Sequence, residues 1–232
     1  TESLRRANIL WWRRKWLYGL SFLLNYSSNL SDKRMNAYHA LIAYVILQRL
    51  GELTYSRRNQ ARLKLRNFEY CESKTAYYQM IALHVAWFAA LFFEPQISAK
   101  AVPTAVILGG VSVFVFAQVL RIWTLQTLGE HWNTTVMAPN SHVLKTIETS
   151  KERTFVDAGP YRLIRHPNYL VVILELASLP VIGGAYFTAI IFSLLNAACL
   201  ARRIRTEEAC LFSRPGYRET MGRKARLLPG LI

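Results

Sequence analysis

Two polar clusters in the sequence contain residue types that can hold a small charged molecule. The first is the run GPYRLIRHPNY at residues 159–169, and the second is the run RRIRTEE at residues 202–208. The carboxylates of Glu207 and Glu208 can accept hydrogen bonds from a ribose diol or an ammonium group, and arginine binds anions through paired hydrogen bonds. We therefore expect the two clusters to share a ligand if folding brings them together.

An apolar stretch between the clusters predicts how they meet. Residues 169–200 carry one charge, Glu175, and contain Pro180, Gly183 and Gly184 near the middle. Proline and paired glycines favour a tight turn, so we expect a helical hairpin that returns residues 202–208 to His166. Because two full crossings need about 40 residues, the hairpin must include polar residues at its ends or stop short of the far surface.

A simpler interpretation is a basic loop beside a membrane helix. Arginine and tyrosine are expected at membrane boundaries, and the i,i+4 spacing of Arg203 and Glu207 fits an ordinary ion pair on a helix surface. Adjacent glutamates are unusual at so cationic a boundary, however. The glutamates at positions 207 and 208 are the only acids between Glu175 and Glu219, which favours a binding role.

The composition indicates a membrane protein. Of 232 residues, 52% are hydrophobic and 19% are charged, and 29 Lys and Arg against 14 Asp and Glu give a net charge of +15. A nucleic-acid-binding module would spread its basic residues among polar ones, whereas here they collect at the ends of apolar runs. We therefore predict membrane lipids as partners and no nucleic acid.

Four apolar stretches predict the membrane helices: residues 37–50, 76–93, 101–123 and the hairpin at 169–200. The predicted fold class is all-α, an integral-membrane helical bundle of about five transmembrane helices that includes the C-terminal hairpin. Residues 1–34 are basic and rich in tryptophan, which predicts an interfacial segment or an additional helix. The remaining domain spans residues 35–232.

The distribution of basic residues predicts the orientation. Residues 121–165 and the tail after Arg202 are strongly basic, whereas loop 94–100 has one cation and turn 180–186 has none. We therefore expect both polar clusters on the cytosolic side. The basic loop at residues 57–66 fits this rule only with an outside N-terminus or an extra crossing, so the side of the N-terminus stays open.

Several single residues also support predictions. Glu175 is costly inside a membrane, so we expect it to face the bundle interior and to pair with an arginine such as Arg121. Gly109 and Gly110 predict close helix packing. His84 has no second ligand at i+3 or i+4, so it is interpreted as a core or interfacial histidine.

Standard signatures of other sites are missing from the sequence. It contains no GxGxxG, GxxxxGK[ST], HExxH or GxSxG motif, which argues against a soluble-type Rossmann site. Cys71, Cys199 and Cys210 form no CxxC pair. We therefore predict no metal site and no disulfide framework.

The combined pattern resembles the isoprenylcysteine carboxyl methyltransferase family. The matching elements are GPYR at residues 159–162, RHPNY at 165–169, the apolar hairpin, the paired glutamates and a tail containing Tyr217. Upstream, RIW at 121–123, LG at 128–129 and WNT at 132–134 extend the likeness to roughly residues 105–232. Each element alone is weak, but their combination at this spacing is specific.

The resemblance implies an S-adenosylmethionine-dependent methyltransferase, with its catalytic part at about residues 121–232. The cofactor-binding residues would be Tyr161, Arg165, His166, Pro167, Tyr169, Glu207 and Glu208. Arg205 or Arg203 would orient the acceptor, with Arg205 preferred because Glu208 would fix its side chain. Trp132, Asn133 and Glu175 would contact the acceptor. Since the sulfonium is already electrophilic, alignment and exclusion of water are the main tasks.

The acceptor is predicted to be lipophilic, namely the carboxylate of a prenylated cysteine or an analogous small compound. It would enter from the bilayer, while the cofactor would enter from the cytosol. A phospholipid N-methyltransferase and a methyltransferase of small thiols or phenols remain as alternatives. So do an NADPH-dependent membrane reductase, since some such enzymes share a similar C-terminal motif, and a non-catalytic membrane protein.

Overall fold

The computed structural model describes residues 2–98, 101–140, 143 and 155–228, with side chains from residue 32 onward. These residues form the helices α1 (Glu2–Leu65), α2 (Lys74–Ser98), α3 (Thr104–Leu128), α4 (Pro167–Gly183), α5 (Tyr186–Leu211) and α6 (Tyr217–Met221). Two short antiparallel strands, β1 (Phe68–Tyr70) and β2 (Met137–Pro139), pair with Glu69 opposite Ala138. The predicted helical fold class is confirmed.

Three helices in the described part of the chain are long and apolar enough to cross a bilayer: Lys74–Ser98, Thr104–His131 and Tyr186–Leu211. Helix α4 is apolar but has 17 residues, so at 1.5 Å per residue it is about 25 Å long, less than the hydrocarbon core of about 30 Å. The predicted span at residues 37–50 lies inside α1, which is not among the three. Against about five predicted spans, the described residues thus provide three full-length candidates and the shorter α4.

The chain divides into two compact units, one ending at Tyr44 and the other beginning at Val45. The first unit contains the N-terminal part of α1. The predicted interfacial placement of residues 1–34 depends largely on side chains that lie outside the described ones, so it stays a prediction, as does the domain boundary at residue 35. The second unit contains both polar clusters.

Helices α4 and α5 form the predicted hairpin. Gly184 ends α4 in the left-handed conformation, with φ 80° and ψ 15°, and its N–H donates to carbonyls of the last turn. Glycine adopts this conformation without steric cost. Pro180 is still inside α4, so the turn lies at the C-terminal end of the predicted motif. Helix α5 continues through the polar residues to Leu211, which agrees with the expected inclusion of polar residues at the end of the hairpin, whereas α4 has 17 residues.

Helix α3 packs closely against α4. The side chains of Ala117, Leu120 and Val171 form a buried cluster between the two helices. A Cβ atom at Gly110 would lie 2.8 Å from Cγ1 of Ile182, so a larger residue there would force Ile182 or α4 to shift. A Cβ atom at Gly109 would meet nothing within 4 Å. The predicted role in close packing is therefore confirmed for Gly110 and wrong for Gly109.

A buried ion cluster joins α1, α3 and α4 within the second unit. Arg121 donates to Glu175 through Nε at 3.1 Å and Nη2 at 2.7 Å, and to Glu52 through Nη1 at 3.0 Å. Arg49 donates to Glu52 at 2.7 Å and also pairs with Glu175. Glu175 and Arg121 are each 1% exposed. The expected pair of Glu175 and Arg121 is confirmed, and two cations balance two anions.

Substituting Glu175 by leucine should destabilise the fold strongly. The substitution leaves the buried arginines only partly compensated, and breaking a buried ion pair costs about 3–5 kcal/mol. We expect a clear fall in the thermal unfolding midpoint of the detergent-solubilised protein. Glu219→Leu, at an exposed position of α6, is the control and should leave the midpoint unchanged. Equal midpoints for Glu175→Leu and wild type would contradict the prediction.

Candidate functional site

The hairpin brings the two polar clusters into contact. His166 immediately precedes α4, and Glu207 and Glu208 lie near the end of α5. Nε2 of His166 is 3.3 Å from Oε1 of Glu208, and Nδ1 is 3.7 Å from Oε2 of Glu207. The rings of His166 and Tyr169 stack at 5.2 Å with an interplanar angle of 20°. As expected from the hairpin, both clusters therefore form one site.

Glu208 ties the C-terminal tail to this site. Its side chain is 6% exposed and lies 2.9 Å from Nη1 of Arg165 and 2.8 Å from Nη2 of Arg226. Backbone hydrogen bonds run alongside, from Arg165 N–H to the Ala225 carbonyl at 2.9 Å and from His166 N–H to the Arg226 carbonyl at 3.0 Å. The carboxylate of Glu208 is thus occupied by side chains of the protein itself.

Glu207 organises a second set of contacts. The hydroxyl of Tyr169 donates to Oε2 of Glu207 and accepts a hydrogen bond from Nε of Arg203 at 3.0 Å. Nη2 of Arg203 also donates to the carbonyl of Thr134 and lies 3.5 Å from Glu72. Three groups therefore hold the guanidinium of Arg203 in place. Glu207 keeps 26% of its side chain exposed.

Residues on α1 and in the link before α2 contribute to the site without having been predicted. Glu72 pairs with Arg203, and burial raises the pKa of its carboxyl above the usual value. Oγ of Ser56 accepts the N–H of Thr134 at 2.9 Å, and Nδ2 of Asn59 donates to the Trp132 carbonyl at 2.9 Å. Together they fix the segment that follows α3 against the site.

The sequence does contain a signal for the α1 residues. Arg49, Glu52, Ser56 and Asn59 are spaced by three, four and three residues, which places them on one face of a helix. A polar stripe at this spacing, next to an apolar stretch, indicates an interior face that binds other elements. Glu72 offers no such signal, because its partner lies on a helix far away in the sequence.

The site opens into a cavity of about 440 Å³. One wall, which we call the polar wall, is formed by Tyr161, Arg165, His166, Asn168, Tyr169, Arg203, Glu207 and Tyr217. A second wall, which we call the apolar wall, is formed by Ile46, Leu50 and Leu53 from α1 and by Met80, Ile81, Val85 and Phe88 from α2. The segment after α3 adds Trp132, Asn133 and Thr135. One cavity thus offers charged and apolar surfaces to the same ligands.

The predicted site residues divide into two groups by their position. Those that line the cavity are Tyr161, Arg165, His166, Tyr169, Glu207, Arg203, Trp132 and Asn133. Four predicted residues do not line the cavity, namely Pro167, Glu208, Glu175 and Arg205. Pro167 begins α4, and Glu208 binds the C-terminal tail. The predicted contacts of Glu175 and Arg205 with the acceptor require correction.

Arg205 lies on an exposed face of α5 and does not line the cavity. Two residues along a helix rotate a side chain by about 200°, so Arg205 and Arg203 point in nearly opposite directions. Glu208, which was expected to fix Arg205, instead binds Arg165 and Arg226. Glu175, predicted to contact the acceptor, has both carboxylate oxygens bound within the ion cluster.

Several buried polar atoms of the cavity lining have no hydrogen-bond partner among the described residues. They are Nε of Arg165, Oδ1 of Asn168, Oδ1 of Asn133, Oγ1 of Thr135 and Nε1 of Trp132. Because buried polar groups are normally paired, this mixture of donors and acceptors fits a polar ligand. The described residues contain no group of three His, Cys, Asp or Glu that could hold a metal ion.

The tyrosines of the polar wall remain neutral hydrogen-bonding groups. Burial raises the pKa of Tyr161 and Tyr217 above the usual value for a phenol, and the nearby carboxylate of Glu207 acts in the same direction. Both hydroxyls therefore stay protonated at neutral pH.

Substituting Glu208 by glutamine should loosen the C-terminal tail. The neutral amide cannot balance Arg165 and Arg226, so tail residues after Arg214 should detach more often. We expect trypsin to cleave the tail of folded Glu208→Gln several-fold faster than that of wild type, as followed by mass spectrometry. Glu207→Gln keeps the contacts of Arg226 and is the matched control. Equal cleavage rates in the two variants would contradict this role of Glu208.

Comparison with known proteins agrees with this geometry. Residues 110–213, which include both clusters and the hairpin, match the isoprenylcysteine carboxyl methyltransferase (ICMT) family. The chain is also 36% identical over 172 residues to "Uncharacterized protein YpbQ" of Bacillus subtilis (strain 168), a match that covers 74% of this chain and 94% of the relative. The chain therefore belongs to the isoprenylcysteine carboxyl methyltransferase family and is an integral-membrane methyltransferase.

Proposed function

We propose that the protein transfers the methyl group of S-adenosylmethionine to a lipophilic acceptor, such as the carboxylate of a prenylated cysteine or an analogous small compound. The observation that carries the proposal is the cavity in which a charged wall and an apolar wall face the same space. A water-soluble cofactor fits the first wall and a membrane-soluble acceptor fits the second. Such a cavity brings together two reactants that partition into different solvents.

The residues of the polar wall fit the cofactor by their chemistry. The carboxylate of Glu207 and the unpaired Oδ1 of Asn168 accept hydrogen bonds from hydroxyl or amino groups. The unpaired Nε of Arg165 can donate to a carboxylate. His166 and Tyr169, with their stacked rings, lie beside these groups. Pro167 and Glu208 act indirectly, because Pro167 begins α4 and Glu208 binds the C-terminal tail beside the polar wall.

The protein's own tasks in the reaction are alignment and exclusion of water. When bound, S-adenosylmethionine supplies a methyl group that is already electrophilic. The walls hold the reactants in line and keep water from the methyl group, which removes the need for an elaborate acid and base pair.

Arg203 is the arginine that we assign to orienting an anionic acceptor. It lines the cavity, and Tyr169, Glu72 and the Thr134 carbonyl fix its direction. One guanidinium in a fixed position suits this task. Several arginines bound to the anion would stabilise the ground state as much as the transition state and would not accelerate methyl transfer.

The apolar wall gives the acceptor a route from the bilayer. Leu50 and Val85 belong to this wall, yet 54% and 63% of their surfaces remain exposed. A chain of this apolarity exposes such side chains to lipid. An acceptor can therefore reach the cavity sideways, past α1 and α2. The basic residues around the polar wall favour a cytosolic position for cofactor entry.

Removing the hydroxyl of Tyr169 should weaken cofactor binding. Tyr169→Phe removes the hydroxyl that links Glu207 to Arg203, so cofactor binding must immobilise these side chains at a cost of about 0.5–1.5 kcal/mol each. We expect S-adenosylmethionine to bind at least about tenfold more weakly, as measured by calorimetric titration of purified protein. Tyr186→Phe, at the start of α5 and 36% exposed, is the control and should bind like wild type.

Two results of the same titration would overturn the proposal. One is absence of binding heat for wild type together with no competition from the demethylated product. The other is saturable binding of a reduced nicotinamide dinucleotide, which would favour a reductase. If the cofactor binds, radiolabelled methyl transfer to prenylcysteines, phospholipids, small thiols and phenols then identifies the acceptor class.

A further inference from the structure

Three polar atoms in the segment after α3 have no role in the proposed cofactor site. They are Nε1 of Trp132, Oδ1 of Asn133 and Oγ1 of Thr135, and none of them has a hydrogen-bond partner among the described residues. All three residues line the cavity, and Trp132 is only 2% exposed. Because a buried polar atom without a partner is costly, we expect a group of the ligand to pair with these atoms.

The side-chain amide of Asn133 is oriented by its neighbour His131. Nδ2 of Asn133 donates to the carbonyl of His131 at 3.3 Å. A carbonyl oxygen only accepts hydrogen bonds, so the NH2 group must face it, and Oδ1 is the atom left unpaired. Oδ1 needs a donor as its partner, whereas the indole N–H of Trp132 needs an acceptor. The segment therefore presents one donor and one acceptor, and the hydroxyl of Thr135 can act as either.

Two contacts with α1 hold the backbone of this segment in place. Nδ2 of Asn59 donates to the carbonyl of Trp132 at 2.9 Å, and Oγ of Ser56 accepts the N–H of Thr134 at 2.9 Å. Asn59 and Ser56 are themselves fully buried. The unpaired side-chain atoms thus sit on a fixed backbone, so a ligand that pairs with them does not have to order the segment first.

The same segment lies between the guanidinium of Arg203 and the apolar wall. The carbonyl of Thr134 accepts a hydrogen bond from Nη2 of Arg203, while the N–H of Thr134 donates to Ser56 on α1. Leu53 of the apolar wall precedes Ser56 by three residues, which is about 4.5 Å along α1. A ligand whose anion pairs with Arg203 and whose hydrocarbon chain follows the apolar wall therefore passes residues 132–135 between these two parts.

A secondary amide satisfies both kinds of unpaired atom. Its N–H can donate to Oδ1 of Asn133, and its carbonyl can accept from the indole N–H of Trp132. An ester offers only acceptors and a plain hydrocarbon chain offers neither, so each would leave Asn133 unpaired. A protonated amino group could donate to Asn133, but its charge would lie beside the cation of Arg203, and Trp132 would still lack an acceptor.

We propose that Asn133 is a specificity-determining residue that accepts a hydrogen bond from an amide N–H of the acceptor, which makes the acceptor an N-acylated amino acid. The carboxylate of this acceptor pairs with Arg203, its amide lies against residues 132–135, and its acyl chain lies along the apolar wall. This inference rests on the proposed function, because it names the class of carboxylate that the methyltransferase accepts.

Two probes that differ only in the amide N–H test this assignment. Purified protein in detergent is titrated calorimetrically with N-decanoylglycine and with O-decanoylglycolate, the ester in which an oxygen replaces the N–H. The ratio of the two affinities is compared between variants in the same detergent, so that partitioning of the probes into micelles cancels. Loss of one hydrogen bond predicts that the preference for the amide is about tenfold larger in wild type than in Asn133→Leu. Asn133→Asp, which keeps an acceptor oxygen, should keep the ratio of wild type.

Asn168→Leu is the matched control, because it removes another unpaired Oδ1 of the cavity lining, from the polar wall. It should weaken binding of S-adenosylmethionine and keep the amide preference of wild type. Asn133→Ala repeats the comparison if Asn133→Leu does not fold.

Equal ratios in wild type and Asn133→Leu would overturn the inference. So would a loss of S-adenosylmethionine binding in Asn133→Leu as large as that in Asn168→Leu, because Asn133 would then belong to the cofactor site. The same titrations separate the two proposals. Failure of wild type to bind S-adenosylmethionine overturns the proposed function, whereas an amide preference that does not depend on Asn133 overturns the role of Asn133 alone.

Discussion

A carboxylate removed from water must be balanced by cations or hydrogen-bond donors, and two buried glutamates impose this requirement on the second unit. Glu175 pairs with both Arg121 and Arg49, and these contacts join α1, α3 and α4. Glu208 draws in Arg165 and Arg226, which joins the hairpin to the C-terminal tail. Helix packing that failed to satisfy either carboxylate would be strongly disfavoured, so the positions of the cavity walls follow from these contacts.

The same constraint separates residues that hold the site from residues that can bind a ligand. Glu207 and Glu208 are adjacent, but Glu208 is 6% exposed and fully engaged, whereas Glu207 is 26% exposed and lines the cavity. Arg203 is held by fixed partners yet still faces the cavity. In the proposed reaction, a rigid set of charges of this kind would align the reactants without having to reorganise.

Much of this arrangement was predictable, for local reasons. Turn residues and an apolar run predicted the hairpin, and the hairpin predicted contact between His166 and the paired glutamates. The cost of a charge inside a membrane predicted a partner for Glu175. The contribution of Glu72 was not predicted, because its partner Arg203 is distant in sequence and leaves little trace near Glu72. The polar stripe of α1 that contains Asn59 was present in the sequence, but its partners were not identifiable from it. The preference for Arg205 over Arg203 failed because it ignored which face of α5 meets the cavity.

The sequence by itself determined the membrane class, the hairpin and the chemistry of the two clusters, since each depends on composition and on spacing within one segment. The tertiary structure alone decided which members of each cluster line the cavity. It also decided that α1 and α2 complete the cavity. The physical reason is that successive side chains of a helix point in directions about 100° apart, so the rotation of the helix about its axis decides which of them line the cavity. Burial of charge between helices, rather than local sequence, selects that rotation.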